Sequence, residues 1–213
     1  DDAINDLFTN SFVAKTGRRY ITADVAFSND KFVIMVWDGW TVIDCQVYDK
    51  ADPAEVIKWI ERAARDYSVP ARNICYDASV AGYYLKSFLR TAVAFFGGAS
   101  PMDEVHGRLK NLQTIVKRPQ YENLRAQCFF ILQQRLNDCA IFFEPKSIHL
   151  QETISQELMS IKEAAQRDVG KLKIIPKEEI RVILGHSPDF ADALSMRAIF
   201  DLIPPARPAR TIA

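Results

Sequence analysis

Apolar runs separated by turn residues occupy positions 18–48, and the first run alternates, with Ile21, Ala23 and Val25 on one face and Asp24 on the other. Three apolar stretches, residues 18–26, 31–37 and 40–48, are separated by turn-forming residues, including Asp38-Gly39. Short turns of this kind join antiparallel neighbours. The pattern therefore predicts a three-stranded antiparallel meander at the start of the domain.

The chain then changes to helical spacing and back to a short apolar run. Residues 53–67 place apolar side chains three and four positions apart, and residues 73–77 are mostly apolar. A strand, a covering helix and a second strand form a right-handed crossover, which makes the two strands parallel. A short helix over 81–90 and a fifth strand over 92–96 follow. The prediction is an α/β fold with a mixed five-stranded sheet, in which strands four and five run parallel to strand one and helices flank the sheet.

The second half of the chain is predicted to be mainly helical. After a long loop over 99–119, helices are expected over 121–139, 151–167 and 177–184, and a closing helix starts near Pro188. We expect a linker or N-terminal extension over 1–17, one domain over 18–203 and a mobile, proline-containing tail over 204–213.

Composition narrows the class of protein without identifying it. The hydrophobic share of 48% and the charged share of 25% are those of a globular protein, and the formal net charge is zero. Any contact with nucleic acid must therefore come from a local basic patch or through metal ions. The longest apolar run, residues 32–37, is too short to span a membrane. From the polar start of the sequence we expect no signal peptide. The four cysteines lack C-x-x-C spacing and are expected to be reduced core residues of a cytosolic protein: Cys45, Cys75, Cys128 and Cys139.

Aspartates stand at the ends of two strands that should be neighbours. Asp24 nearly ends the first strand and Asp77 ends the fourth, so both should lie at the carboxyl edge of the sheet, where open sheets bind ligands. Asp189 and Asp192 would join them if the closing helix crosses that edge. Four carboxylates without a neighbouring lysine or arginine would repel one another unless cations compensate. Oxygen ligands alone favour Mg²⁺ or Mn²⁺, and two such ions could hydrolyse a phosphodiester.

A purely structural interpretation of these acids stays open. Aspartates at strand ends are common in turns and caps, and we assign the following ones to that role: Asp30, Asp38, Asp44, Asp49 and Asp52. In the segment HSPDFADAL, Ser187 is a typical N-cap and Pro188 suits the first helical position. An acidic pair in the first turn also favours the helix dipole. Residue pattern alone does not decide between a metal site and helix capping.

Four segments of the chain resemble the nuclease domain of the large terminase subunit of tailed bacteriophages. They are ITADVA, ICYDASVAG, YENLRAQCFFILQQRL and IIPKEEIRVILGHSPDFADAL, and the last two are the most specific in order and spacing. The resemblance covers most of the chain. It implies an RNase H-like, RuvC-like fold and a metal-dependent endonuclease that cuts concatemeric viral DNA during genome packaging.

The resemblance also implies site residues, cofactors and partners. Asp24 matches the acid of the first strand, Asp77 that of the fourth, and Asp189 with Asp192 the D-x-x-D pair of the last helix; which of this pair binds metal directly stays open. Two Mg²⁺ or Mn²⁺ ions, double-stranded DNA, a motor ATPase domain of the same full-length chain, the small terminase subunit and the portal are implied, in the cytoplasm of an infected or lysogenic bacterium. No G-x-x-x-x-G-K-[ST] loop for ATP occurs in this sequence. Candidate DNA-backbone contacts are Arg108, Lys110, Lys117 and Arg118, together with Arg18 and Arg19.

Three other functions remain possible at this point. One is a Holliday-junction resolvase of the same fold, and another is a non-catalytic packaging module that docks on the motor or portal. The third is a nucleotide-binding module related to actin or the sugar kinases. The third needs glycine two residues after the first acid so that the backbone can approach phosphate, and this chain has Ala26 there.

Overall fold

The structure, a computed structural model, describes residues 2–26, 30–49, 52–79, 82–102, 120–164 and 170–203. Its strands are β1 (Arg19–Asp24), β2 (Phe32–Asp38), β3 (Thr41–Tyr48), β4 (Ile74–Asp77), β5 (Val93–Phe95), β6 (Gln120–Tyr121), β7 (Phe142–Phe143) and β8 (Lys171–Leu172). Its α-helices are α1 (Asp2–Asp6), α2 (Pro53–Asp66), α3 (Leu124–Asn137), α4 (Ile148–Ser160), α5 (Lys177–Leu184), α6 (Asp189–Ser195) and α7 (Ile199–Leu202). Three 3₁₀ segments cover Ala71–Asn73, Tyr83–Ser87 and Met196–Ala198.

The predicted architecture is confirmed, with additions. The main sheet has the order β5-β4-β1-β2-β3-β7, in which β1, β2 and β3 form the antiparallel meander. Strand β4 pairs in parallel with β1, and β5 pairs in parallel with β4. The sequence did not predict the sixth strand, β7, which pairs in parallel with β3, or the small sheet of β6 and β8. The predicted helix over 81–90 is a 3₁₀ segment at Tyr83–Ser87.

Each face of the main sheet carries its own hydrophobic core. On one face, Ile21 and Ile34 of the sheet pack with Val56 and Ile60 of α2. On the other face, side chains of the intervening sheet positions pack with α3, α4 and α6, and the cluster includes Tyr20, Met35, Cys75, Cys128 and Leu194. Because successive strand residues point to opposite faces, Asp24 lies on the same face as Tyr20, beneath α6. The predicted alternation that sets Asp24 opposite Ile21 is therefore confirmed.

Local chemistry explains how α2 begins. The Asp52 side chain accepts hydrogen bonds from the backbone N–H groups of Ala54 and Glu55, and the Glu55 side chain accepts one from the Asp52 N–H. This capping box satisfies the free donors of the first turn, and Pro53 fits the first position. The prediction that Asp52 is a cap residue is confirmed.

The N-terminal segment is packed against the domain. Leu7, just after α1, is fully buried in the same core as α3 and α4, and Lys15 forms an ion pair with Glu144 at 2.8 Å. Residues 204–213, for which a mobile tail is predicted, lie outside the described residues.

The cysteines are free thiols, as expected: Cys75 and Cys128 are buried, whereas Cys45 and Cys139 are half-buried. Across the described part of the chain, none of the helices has both the length and the apolar character needed to cross a bilayer.

Candidate functional site

Parallel pairing of β1 and β4 places two aspartates at one edge of the sheet. Ala23 of β1 is in register with Tyr76 of β4, so Asp24 and Asp77 are the next residues on the two strands. Asp24 is buried, with 2% of its surface exposed. Asp77 is half-buried, and its Oδ1 accepts a hydrogen bond from the backbone N–H of Ser79 at 2.8 Å. The predicted neighbouring carboxylates at this edge are therefore present in the fold.

Helix α6 packs on β1 and β2 and brings the other two aspartates to the same edge. All seven residues of this helix are buried, which explains why it is so firmly seated on the sheet. Asp189 and Asp192 both lie in its first turn, and the Asp189 Oδ2 accepts a hydrogen bond from the Lys31 N–H at 2.9 Å. The structure therefore brings together all four aspartates that were predicted from the sequence.

Two cations that the sequence analysis did not identify accompany the four carboxylates. Lys177, the first residue of α5, places its Nζ 2.7 Å from Asp192 Oδ2 and 3.9 Å from Asp24 Oδ2. Arg125 of α3 donates from Nε to Asp192 Oδ1 at 3.0 Å. Neither spacing nor charge pattern singled out these residues. Both lie, however, in the two segments that carried the most specific resemblance, those beginning at Tyr121 and Ile174.

Burial and charge act in opposite directions on the aspartates. Burial raises the pKa of Asp24 well above its ordinary value, the charge of Lys177 opposes this, and the other three aspartates reinforce it. Burial also raises the pKa of Asp189. Burial acts to raise the pKa of Asp192, but the charges of Arg125 and Lys177 together hold this pKa below its ordinary value. Burial thus disfavours the charged forms of Asp24 and Asp189, which a bound cation would favour.

A buried carboxylate oxygen in the cluster, Asp24 Oδ2, has no hydrogen-bond partner among the described residues. The Lys177 ammonium lies 3.9 Å from it, too far to donate a hydrogen bond. A buried, unpaired oxygen is costly, and a cation is the ligand that would satisfy it. Among the described residues, no group of three or more His, Cys, Asp or Glu side chains has a geometry that could hold a metal ion. The ammonium of Lys177 lies among the carboxylates that would form such a set.

The predicted basic contacts do not join this cluster. Arg18 precedes β1 and Arg19 begins it, so they lie at the end of the strand opposite Asp24, about 17 Å away at the usual rise per residue. The guanidinium of Arg19 donates instead to the Tyr67 carbonyl at 2.8 Å. The other candidates lie outside the described residues: Arg108, Lys110, Lys117 and Arg118.

The remaining acids that were assigned to turns and caps behave differently from one another. Asp38 accepts hydrogen bonds from the backbone N–H groups of Thr16 and Gly17, both at 2.7 Å, and so fixes a turn. Asp30 forms an ion pair with Arg181 of α5.

Comparison of the sequence with protein-family models and with curated proteins finds no match. Comparison of the structure does find relatives in fold. The nuclease domain of the large terminase subunit gp2 of bacterial virus Sf6 superposes with a TM-score of 0.76 at 21% sequence identity, over 95% of this chain and 97% of that one. The chain has the fold of a phage large-terminase nuclease domain.

Two further structures agree with this terminase-nuclease fold. A lysine-to-alanine variant of the Sf6 domain with manganese and beta-thujaplicinol gives a TM-score of 0.77 at 20% identity, again over 95% of this chain and 97% of that one. The large terminase nuclease from thermophilic phage G20c with bound magnesium gives 0.54 at 11% identity, over 92% of this chain and 94% of that one. The predicted resemblance and the RNase H-like fold class are thereby confirmed.

Proposed function

We propose that this chain is a metal-dependent DNA endonuclease of the phage large-terminase type. The observation that carries the proposal is the convergence of Asp24, Asp77, Asp189 and Asp192 at one edge of a terminase-nuclease fold, around a buried oxygen that lacks a partner. The presence of manganese or magnesium in structures of that fold supports the choice of cofactor.

The chemistry of the site suits Mg²⁺ or Mn²⁺. All of the candidate ligands are carboxylate oxygens, the hard donors that these ions prefer, and the unpartnered Asp24 Oδ2 lies in their midst. Two bound ions would supply Lewis-acid activation of water and neutralise the charge that develops on the leaving oxygen of a phosphodiester.

Each side chain then has a distinct task. Asp24 would hold the ions through its buried Oδ2, and Asp77, whose Oδ1 accepts from the Ser79 N–H, would bind them from the neighbouring strand. Asp189 or Asp192 would complete the ligand set from α6. Arg125 fixes the orientation of Asp192 through its Nε hydrogen bond. Burial acts to lower the pKa of Lys177, but the carboxylates of Asp24 and Asp192 raise this pKa above its ordinary value. The Lys177 side chain therefore remains charged at neutral pH.

The biological role follows from the same proposal. The substrate is double-stranded DNA, cut as a concatemer during viral genome packaging in the cytoplasm of the infected or lysogenic host. A motor ATPase domain of the same full-length chain, the small terminase subunit and the portal are the proposed partners. Sequence preference should be weak if phosphate contacts dominate, because such contacts position a duplex without reading its bases.

Plasmid nicking in Mn²⁺ or Mg²⁺ tests the proposal directly. Wild-type protein should convert supercoiled DNA to nicked and linear forms, and EDTA should stop the reaction. Asp24→Asn should cut at least about a hundredfold more slowly, because it removes a ligand, and even groups that only support metal ligands commonly affect activity by about 10–100-fold.

A matched variant controls for the loss of one carboxylate. Asp66→Asn changes an exposed aspartate at the end of α2, and it should cut at the wild-type rate. Equal cutting by Asp24→Asn and wild type would remove the aspartate cluster from the reaction.

A further inference from the structure

Helix α6, which carries Asp189 and Asp192, does not have the N-cap that its sequence predicts. The cap position is occupied by Pro188, which provides no side-chain hydrogen bond. Among the described residues the buried Ser187 Oγ makes no hydrogen bond to the helix backbone; its side chain instead acts on the Asp189 carboxylate, where burial raises the pKa and Ser187 acts to lower it. The first N–H groups of any helix have no acceptor inside the helix. A buried helix of seven residues therefore needs an acceptor from elsewhere.

That acceptor comes from α4. Glu157 Oε2 accepts a hydrogen bond from the Ala191 N–H at 2.8 Å, and Glu157 is almost completely buried, with 1% of its surface exposed. Among the described residues its other oxygen, Oε1, has no hydrogen-bond partner, and His186 Nδ1 lies 3.8 Å from it. Glutamate is almost never fully buried without a specific partner. Here the specific partner is the backbone of α6.

The position of this bond links it to the acidic cluster. Ala191 lies between Asp189 and Asp192 in the first turn of α6, so a bond to its N–H fixes the backbone from which both carboxylates project. Packing alone would favour an apolar side chain at residue 157, because its helix neighbours Ile154 and Leu158 belong to the hydrophobic core. The carboxyl is thus explained by the bond it makes.

We infer that Glu157 is a positioning residue for the acidic cluster: its side chain holds the first turn of α6 so that Asp189 and Asp192 face Asp24. The inference rests on the proposed function for its consequence, which is metal affinity. The hydrogen bond itself can be tested independently of that function.

Four variants separate the roles of Glu157. Glu157→Gln keeps an oxygen acceptor of the same length, whereas Glu157→Leu removes the acceptor. Glu157→Asp keeps a carboxyl group but is one methylene too short to reach Ala191. Glu152→Leu changes an exposed glutamate on the same helix and is the control. If the leucine variant does not fold, the aspartate variant carries the test.

The first measurement is Mn²⁺ binding without DNA, followed by the EPR signal of free Mn²⁺. Because groups that orient metal ligands commonly contribute about 10–100-fold to affinity, the leucine and aspartate variants should bind Mn²⁺ about 10–100-fold more weakly. The glutamine and control variants should bind like wild type. Wild-type affinity in both the leucine and aspartate variants, or equal loss in the glutamine and leucine variants, would overturn the inference.

The second measurement is hydrogen exchange at the Ala191 amide in metal-free protein. Exchange should be at least about tenfold faster in the leucine and aspartate variants than in wild type, because a buried hydrogen bond has been removed, and glutamine should restore protection. A wild-type protein that binds no Mn²⁺ but shows this exchange pattern would refute the proposed function and retain the positioning role. Unchanged exchange at Ala191 in both acceptor-deficient variants would refute the positioning role.

Discussion

Lys177 is the side chain whose replacement should change the acidic cluster most informatively. Two unit charges 3.9 Å apart, as Lys177 Nζ and Asp24 Oδ2 are, attract by about 4 kcal/mol at an effective dielectric constant of about 20. Because Lys177 is 32% exposed, solvent screening makes the net attraction smaller than this figure. The same ammonium repels any divalent cation that approaches the cluster, and with twice the charge on the ion the repulsion is at least as large. Lys177→Met should therefore allow tighter binding of metal.

The size of the gain depends on the competition with protons. Without Lys177 the pKa of Asp24 rises further. At about pH 8 the free energy needed to deprotonate this carboxyl therefore offsets part of the gain in metal-binding free energy. A remaining advantage of only about 1.4 kcal/mol corresponds to tenfold tighter binding. We therefore expect Lys177→Met to bind Mn²⁺ at least about tenfold more tightly than wild type, measured by EPR without DNA.

Thermal unfolding gives an independent measure of the same effect. In EDTA the variant should melt below wild type, since a buried carboxylate has lost its partner. At saturating Mn²⁺, tenfold tighter binding adds about 1.4 kcal/mol to the free energy of unfolding, which is about 3–6 °C in Tm for a domain of this size. Lys171→Met, at an exposed lysine of β8, is the control and should match wild type. Unchanged or weaker Mn²⁺ binding by Lys177→Met would refute the competition between lysine and metal.

Two further predictions concern residues that support the cluster. A Cβ on Gly82 would lie 1.7 Å from the Asp77 carbonyl oxygen, whereas one on Gly98 would contact nothing within 4 Å. Gly82→Ala should therefore lower the free energy of unfolding by about 1–3 kcal/mol and slow plasmid nicking. Gly98→Ala should change neither the stability nor the nicking rate. Equal urea midpoints for the two alanine variants would contradict this reasoning. Burial raises the pKa of Glu157 to about 8. The folded state therefore retains a proton that the unfolded chain releases near pH 4. The stabilisation due to this proton is complete at low pH and is lost as the pH rises to 8. Relative to Glu157→Gln in EDTA, wild type should lose up to about 1.4 kcal/mol per pH unit across that window; parallel stability profiles would disprove it.

The sheet was predictable because its signals are local. Alternating residues and short turns specify the meander, and the handedness of the crossover then places Asp24 beside Asp77. Strand β7 has only two residues, Phe142–Phe143, which is too few to show alternation. Its pairing with β3 depends on contacts between distant parts of the chain that no local pattern encodes.

The limits of prediction at the site have the same origin. The four aspartates could be found because strand ends and a D-x-x-D helix start are visible in the sequence. Lys177 at the start of a helix is indistinguishable from a solvated lysine until α5 is placed against α6. The Ser187 cap was a reasonable local prediction, but a distant carboxylate, Glu157, binds the helix instead. Long-range partners decide which local preference is realised.

The order of the elements along the chain has a consequence for synthesis. Asp24 and Asp77 are translated before α6, and every residue of α6 is buried against the rest of the domain. An unfinished chain therefore holds half of the acidic cluster and lacks the helix that closes one of its two cores. If these four carboxylates form the proposed metal site, that site is complete only after α6 has docked on the sheet.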